Sequence, residues 1–188
     1  MAPAIRSWPP SGTTSRVWHT PGGDFATAEP LARRSVALRE RVLGCDHPTV
    51  AADRAALAAI LDGLGKRREA ERLLRAALGV FSRVHGPGHH ETAVTCHNLA
   101  CLAYRRGGLV EAEALFRRAL VIKETVLGRD HPELAVTLNR LALVRADRGG
   151  RAEAHALVRR ALGVLEGAVS PDHPLLSVCR SHDAALSS

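Results

Sequence analysis

The chain has 188 residues, 46% of them hydrophobic but only 3% aromatic, and a formal net charge of +7. That hydrophobic content supplies a buried core and argues against disorder throughout, while the shortage of aromatics leaves Ala, Leu and Val to fill it, a composition suited to closely packed helices rather than sheets. The positive charge is almost wholly arginine, because Lys66 and Lys123 are the only lysines; it admits nucleic acid or an acidic protein as partner, and equally fits a GC-rich genome. No apolar run approaches the roughly 20 residues that span a bilayer, and MAPAIRSWPPSGTTSR lacks the apolar segment of a signal peptide. A cytoplasmic location with no membrane partner is expected. Cys45, Cys96, Cys101 and Cys179 form no C-x-x-C pair, so neither a zinc site nor a disulfide framework is indicated.

Residues 1–24 come first. Their stretch PPSGTTSRVWHTPGG carries Pro9, Pro10, Gly12 and Pro21, which do not suit a regular helix. A disordered or irregular arm is expected, and it holds both tryptophans, Trp8 and Trp18, either to cover the next helix or to recognise a partner. AEPLARRSVALRERVLG, residues 28–44, then reads as a helix without a preceding mate.

Beyond it the chain repeats. His47, His89, His131 and His173 recur every 42 residues, and RERVLGCDHPTVA, SRVHGPGHHETA, KETVLGRDHPELA and EGAVSPDHPLLS fall in register with them. A period of this length signals a solenoid. Each full repeat reads as two amphipathic helices: in the second, Cys96, Leu99, Ala100 and Ala103 share one helical face, and after Gly107-Gly108 so do Ala112, Leu115, Phe116, Ala119 and Leu120. Ala58, Ala70, Ala77 and their equivalents occupy positions of close helix approach, where a larger side chain overpacks. The last stretch, from His173, reads as a capping helix with Leu175, Leu176 and Leu186 inward and Arg180 and Asp183 outward.

The pattern NLA-x(3)-Y-x(2)-G-x(3)-EA-x(3)-F-x(2)-AL, Asn98 to Leu120, resembles a tetratricopeptide repeat, and the 42-residue spacing with LG-x-DHP is similar to the kinesin light chain type. The resemblance covers residues 25 to about 180. It implies an all-α, right-handed α-solenoid of antiparallel helix pairs: a half-repeat at 25–48, repeats at 49–90, 91–132 and 133–172, and the capping helix at 173–188. It also implies a non-enzymatic scaffold whose first helices line a concave groove for a peptide segment of another protein, with no cofactor. By position, the inward residues are Ala52, Ala55, Ala59 and Asp62, then Val94, His97, Cys101, Tyr104 and Arg105, then Val136, Asn139, Leu143 and Ala146, bordered by Asn98 and Arg140. An asparagine amide both donates to and accepts from a peptide backbone. Exposed array ends allow self-association.

The Asp-His-Pro tripeptides mark turns rather than chemistry. Asp130 is placed to cap a helix, Pro132 to start its first turn and Glu133 to complete a capping box; catalysis would need one copy distinguished by converging groups. The periodic histidines are a helix-packing distance of about 8–10 Å or more apart, too far to share a metal, and no metal site is assigned, although His85, His89 and His90 lie close in sequence. An arginine stripe, Arg33-Arg34, Arg75, Arg117-Arg118 and Arg159-Arg160, recurs on the second helices. Glu29, Glu71 and Glu113 stand four residues before Arg33, Arg75 and Arg117 and pair with them, which leaves Arg34, Arg118 and Arg160 as a basic face for the alternative partner, nucleic acid or an acidic protein. Arg145 stands where Leu61 and Ala103 face inward and needs an acid such as Asp147 or Glu113.

Overall fold

The computed structural model describes residues 25–187, which form eight α-helices and, among those residues, no strand. They run α1 (Phe25–Leu43), α2 (Pro48–Gly63), α3 (Arg67–Val84), α4 (His90–Arg105), α5 (Leu109–Leu127), α6 (Leu134–Asp147), α7 (Arg151–Leu165) and α8 (Pro174–Ser187). The helices pack in the pairs α2 with α3, α4 with α5 and α6 with α7, and each pair stacks on the next through a second helix and the following first helix. This is the expected α-solenoid, with α1 and α8 as single helices at its two ends. The N-terminal arm with Trp8 and Trp18 lies outside the described residues.

Two residue types fix the geometry. Gly44, Gly65, Gly86, Gly107, Gly128 and Gly149 all adopt positive φ, between 75° and 94°, at intervals of 21 residues. Such a left-handed residue ends a helix at little cost only when it lacks a Cβ. The 42-residue sequence period therefore contains a 21-residue backbone period, one turn per helix. Alanine fixes the spacing: Ala58, Ala100 and Ala142, Ala70, Ala112 and Ala154, and Ala77, Ala119 and Ala161 are at most 1% exposed. A further triplet, Ala51, Ala93 and Ala135, is fully buried at the start of the first helices. Phe25 uses the same device at the edge, its ring lying on Gly63 where a Cβ would come within 2.6 Å.

The turns before the first helices differ from the sequence expectation. Histidine, not aspartate, satisfies the free backbone donor. The N–H groups of Thr49, Glu91 and Glu133 donate to Nδ1 of His47, His89 and His131, each at 3.2 Å, and that of Leu175 donates to His173 Nδ1 at 3.3 Å. This requires the neutral tautomer with its proton on Nε2. The recurring histidine is thus a helix cap. Pro48 and Pro174 do occupy the first helical turn, as expected of a residue lacking an N–H. Glu133 closes no capping box; its carboxylate reaches Lys123 at 2.9 Å and His90 at 3.0 Å.

At the far end Leu176 is buried, Leu175 and Leu186 pack against the core, and Arg180 is exposed. Asp183, expected outward, instead turns to His155 at 3.1 Å. Three of the four cysteines are buried as free thiols, and Cys45 is exposed.

Two stability measurements check this account. His47→Ala should lower unfolding free energy in urea by about 1 kcal/mol and His47→Asp should restore most of it, whereas Asp130→Ala should leave it unchanged. Ala112→Leu should cost about 1–3 kcal/mol by overpacking; a wild-type urea midpoint in this variant would contradict the assigned helix contact.

Candidate functional site

The first helices α2, α4 and α6, with α8, form one face of the array, and the residues expected on it divide into two groups. One group holds neighbouring repeats together. His97 Nδ1 lies 3.1 Å from Thr137 Oγ1, and the ring meets Phe116 edge-on at a centroid distance of 5.2 Å. Asn139 Oδ1 lies 2.8 Å from His182 Nδ1. Tyr104 donates its hydroxyl to Asp147 at 2.7 Å, and Arg105 pairs with Asp62. These links join consecutive first helices at separations of 40 or 43 residues.

Burial corrects part of the expected groove. Asn139 is 1% exposed and His97 7%, so both spend their polar atoms inside the array rather than offering them to a peptide. Arg140 is 9% exposed, as is Cys101, and Val94 is also buried. The second group remains accessible. Asn98, Val136, Leu143, Tyr104 and Ala146 are half-buried, Arg105 is exposed, and Ala52 and Ala59 are exposed on α2. The sequence reading gave no weight to Thr137, Lys123 or His182, each a partner of a groove residue or of Glu133; separations of 40 and 43 residues were the signal that would have paired Thr137 with His97 and His182 with Asn139.

The opposite face carries a ladder of charges. Arg33, Arg75 and Arg117 each bond the glutamate four residues before them, at 2.9, 2.7 and 2.9 Å. Each also reaches a glutamate 36 residues later on the next second helix: Glu69 at 2.7 Å, Glu111 at 2.8 Å and Glu153 at 2.9 Å. Lys66 joins Glu29 at 2.7 Å, and Arg106 joins Glu71 and Glu111. Arg145 finds Glu113 at 3.2 Å and Glu153 at 2.6 Å rather than Asp147. With Arg148 and Arg117 it surrounds Glu113, whose side chain is 4% exposed. Burial alone would raise the Glu113 pKa, but bonds from Arg148 and Arg145 and the nearby Arg117 outweigh it and hold the group below the usual carboxylate range.

The basic face is consequently smaller than expected. Arg160 is occupied, pairing with Glu124 and donating to the Arg129 carbonyl. Arg34 and Arg118 are exposed and have no acidic partner among the described residues. Nor do three or more His, Cys, Asp or Glu side chains gather as a metal site among those residues. No described helix is long and apolar enough to cross a membrane.

Burial also sets protonation along the inner face. Desolvation, with repulsion from Lys123 and Arg140, drives the His97 pKa from 6.5 down to about 3. His182 is lowered for the same first reason, with Arg140 adding to it. Both rings stay neutral in the folded array over a range in which the unfolded chain takes up protons. For His97 the contribution to stability is therefore complete above the ordinary histidine pKa and declines as pH falls from about 6.5 toward 3, by about 1 kcal/mol per pH unit, and His182 acts in the same direction. His97→Gln, which can still bond Thr137 but does not titrate, should flatten the fall of melting temperature below about pH 6.5; the wild-type slope in this variant would contradict the assignment.

Two family models, both described as tetratricopeptide repeat, match the chain, one over residues 19–82 and the other over 92–133 and again over 134–175. No curated protein sequence matches. Among solved structures, a putative kinesin light chain with nearly identical TPR-like repeats from Podosopora anserina is 22% identical, covering 87% of this chain and 78% of that one at a TM-score of 0.73. BtubC (BKLC) from P. vanneervenii is 23% identical at a TM-score of 0.76, over 87% of this chain and 65% of its own. Identities at this level carry the fold alone, whereas the two family models together match most of the sequence. The chain belongs to the tetratricopeptide repeat family, with a fold shared by kinesin light chain-like repeat arrays.

Proposed function

We propose that this chain is a non-enzymatic scaffold that holds a peptide segment of another protein against the inner face of α4 and α6. Membership of the tetratricopeptide repeat family supports binding of other proteins as the general role. The observation that carries the finer reading is Asn98. Its amide is half-buried on α4 and makes no hydrogen bond among the described residues, unlike Asn139 one repeat on, which is consumed by His182. A peptide backbone supplies both the donor and the acceptor that an asparagine amide lacks here. The neighbouring accessible residues, Val136 and Leu143 with Tyr104 and Arg105, add apolar contact and a polar margin. Such a mixture suits a segment with an apolar side chain flanked by polar ones.

The second reading, electrostatic binding of nucleic acid or an acidic protein, keeps one supporting observation: Arg34 and Arg118 are exposed on the second helices and have no acidic partner among the described residues. The charge ladder weighs against it, because Arg33, Arg75, Arg117 and Arg160 already neutralise glutamates. An aromatic platform for single strands is also missing from that face among the described residues.

Capture of proteins from a nuclease-treated cell lysate, at low and at physiological salt, separates the readings. A partner retained at both salts by the wild type, and lost from Asn98→Ala with Leu143→Asp at unchanged melting temperature, is the expected outcome. Asn139→Ala is unsuited to this test, since it leaves His182 without its buried partner. Binding indifferent to the double variant, abolished by Arg34→Glu with Arg118→Glu and falling steeply with salt, would overturn the groove.

A further inference from the structure

The array carries an unmated helix at each end, and the two are of opposite kind. α1 corresponds to the second helices and packs on α2, while α8 corresponds to the first helices and packs on α7; among the described residues neither has the helix that completes its own repeat. The faces left open show it. Leu38 corresponds to Val80, Ile122 and Val164, which are 3%, 7% and 7% exposed, yet Leu38 is 60% exposed. Leu31 is 55% exposed where Leu73, Leu115 and Leu157 are partly buried. On α8, Ser177 is exposed where Ala51, Ala93 and Ala135 are fully buried, and Ala184 is exposed where Ala58, Ala100 and Ala142 are buried. Ser177 and Ala184 line an open groove with Pro171, Asp172, Arg180 and Ser181.

We infer that these two faces belong together: α1 of a second copy of this chain lies in the α8 groove of the first and completes the repeat that each copy leaves half-built. Charge complementarity carries the choice of occupant. In the first complete repeat Arg83, near the end of α3, reaches Asp46, in the turn before α2, at 2.7 Å. Arg41 stands one 42-residue period before Arg83, and Asp172 stands three periods after Asp46. Both are exposed, and neither has an oppositely charged partner among the described residues. The intervening repeats do not keep the pair, having Gly88 with Thr125 and then Asp130 with Gly167 at these positions. The two ends therefore retain the halves of an ion pair that the middle of the array lacks, and head-to-tail docking brings them together.

Packing agrees with charge. Ala77 and Val80 of α3 cluster with Ala51 and Ala55 of α2; carried by whole periods to the joint between copies, these positions are Ser35 and Leu38 of α1 against Ser177 and Ser181 of α8. Small side chains thus stand where the helices approach, and the joint continues the contact that already mates α2 with α3, α4 with α5 and α6 with α7. Serine in place of alanine makes this joint less apolar than those inside the chain, and an exposed ion pair sets register more than affinity. The association is accordingly reversible and depends on concentration. Because it is head-to-tail, each added copy presents a fresh end, and growth does not stop at a dimer.

Sedimentation of the full chain over a range of concentrations tests this, with circular dichroism to establish that each variant is folded. The expected mass rises with concentration beyond that of a dimer. Leu38→Asp, which blocks the α1 end, and Ser177→Arg, which blocks the α8 end, should each be monomeric alone; their equimolar mixture should form dimers and nothing larger, since one intact joint remains. Arg41→Asp should weaken association by about threefold or more, and adding Asp172→Arg to it should restore the wild-type value. This exchange involves only exposed residues and decides the matter if either blocking variant fails to fold. Wild-type protein that stays monomeric throughout would overturn the inference and leave the α1 face to another occupant. Assembly that stops at a dimer, is lost in Leu38→Asp and persists in Ser177→Arg would overturn it in favour of two α1 faces paired with each other. Assembly indifferent to the blocking variants and to the charge exchange would overturn both arrangements.

Discussion

Everything in this array rests on how closely its helices approach. Where the four alanine triplets meet their neighbours, the side chain is a single methyl group at essentially no exposure, and any larger residue would push helices beyond ordinary packing distance. Six left-handed glycines, from Gly44 to Gly149, then return the chain after each of the first six helices at the same 21-residue interval. Close contact and constant return together force each repeat to sit on its neighbour in one register. That register aligns first helices on one side and second helices on the other, and it makes a continuous inner face possible from units too small to form one singly.

Charge follows the same register. Each of Arg33, Arg75 and Arg117 bridges its own repeat to the next, so a face that looks strongly basic in sequence is largely self-neutralised. Exposed pairs of this kind contribute little individually. Glu113 is different: nearly buried and surrounded by Arg117, Arg145 and Arg148, it ties α5 to the end of α6, where removing one partner would strand a charge. The inner face shows the complementary arrangement, with His97, Thr137, Asn139 and His182 satisfied internally and Asn98 left open.

Much of this was legible because repetition multiplies weak signals. One Asp-His-Pro is ambiguous, while four histidines at a fixed interval identify turns, and small residues recurring at 42 identify helix contacts. The reading failed where two chemically plausible groups sat side by side. Asp130 is the commoner cap residue, yet the neighbouring imidazole has the reach to accept the backbone N–H two residues on. It failed again for Asn139, because helix periodicity places a residue on a face without saying whether the adjacent first helix covers it. His182, 43 residues away, is that cover. Arg160 shows the same limit, since its partner Glu124 belongs to the preceding repeat. Local spacing finds i, i+4 pairs and is blind to those made across the stack.

The most direct test of the central claim is site-specific photo-crosslinking. A photoreactive side chain is placed either at Asn98 on the inner face or at Arg118 on the convex face of the same repeat, and the folded protein is irradiated in nuclease-treated lysate. The account predicts a discrete protein adduct from position 98 and none from position 118. An adduct formed from position 118 alone would place the partner on the arginine face and contradict the groove.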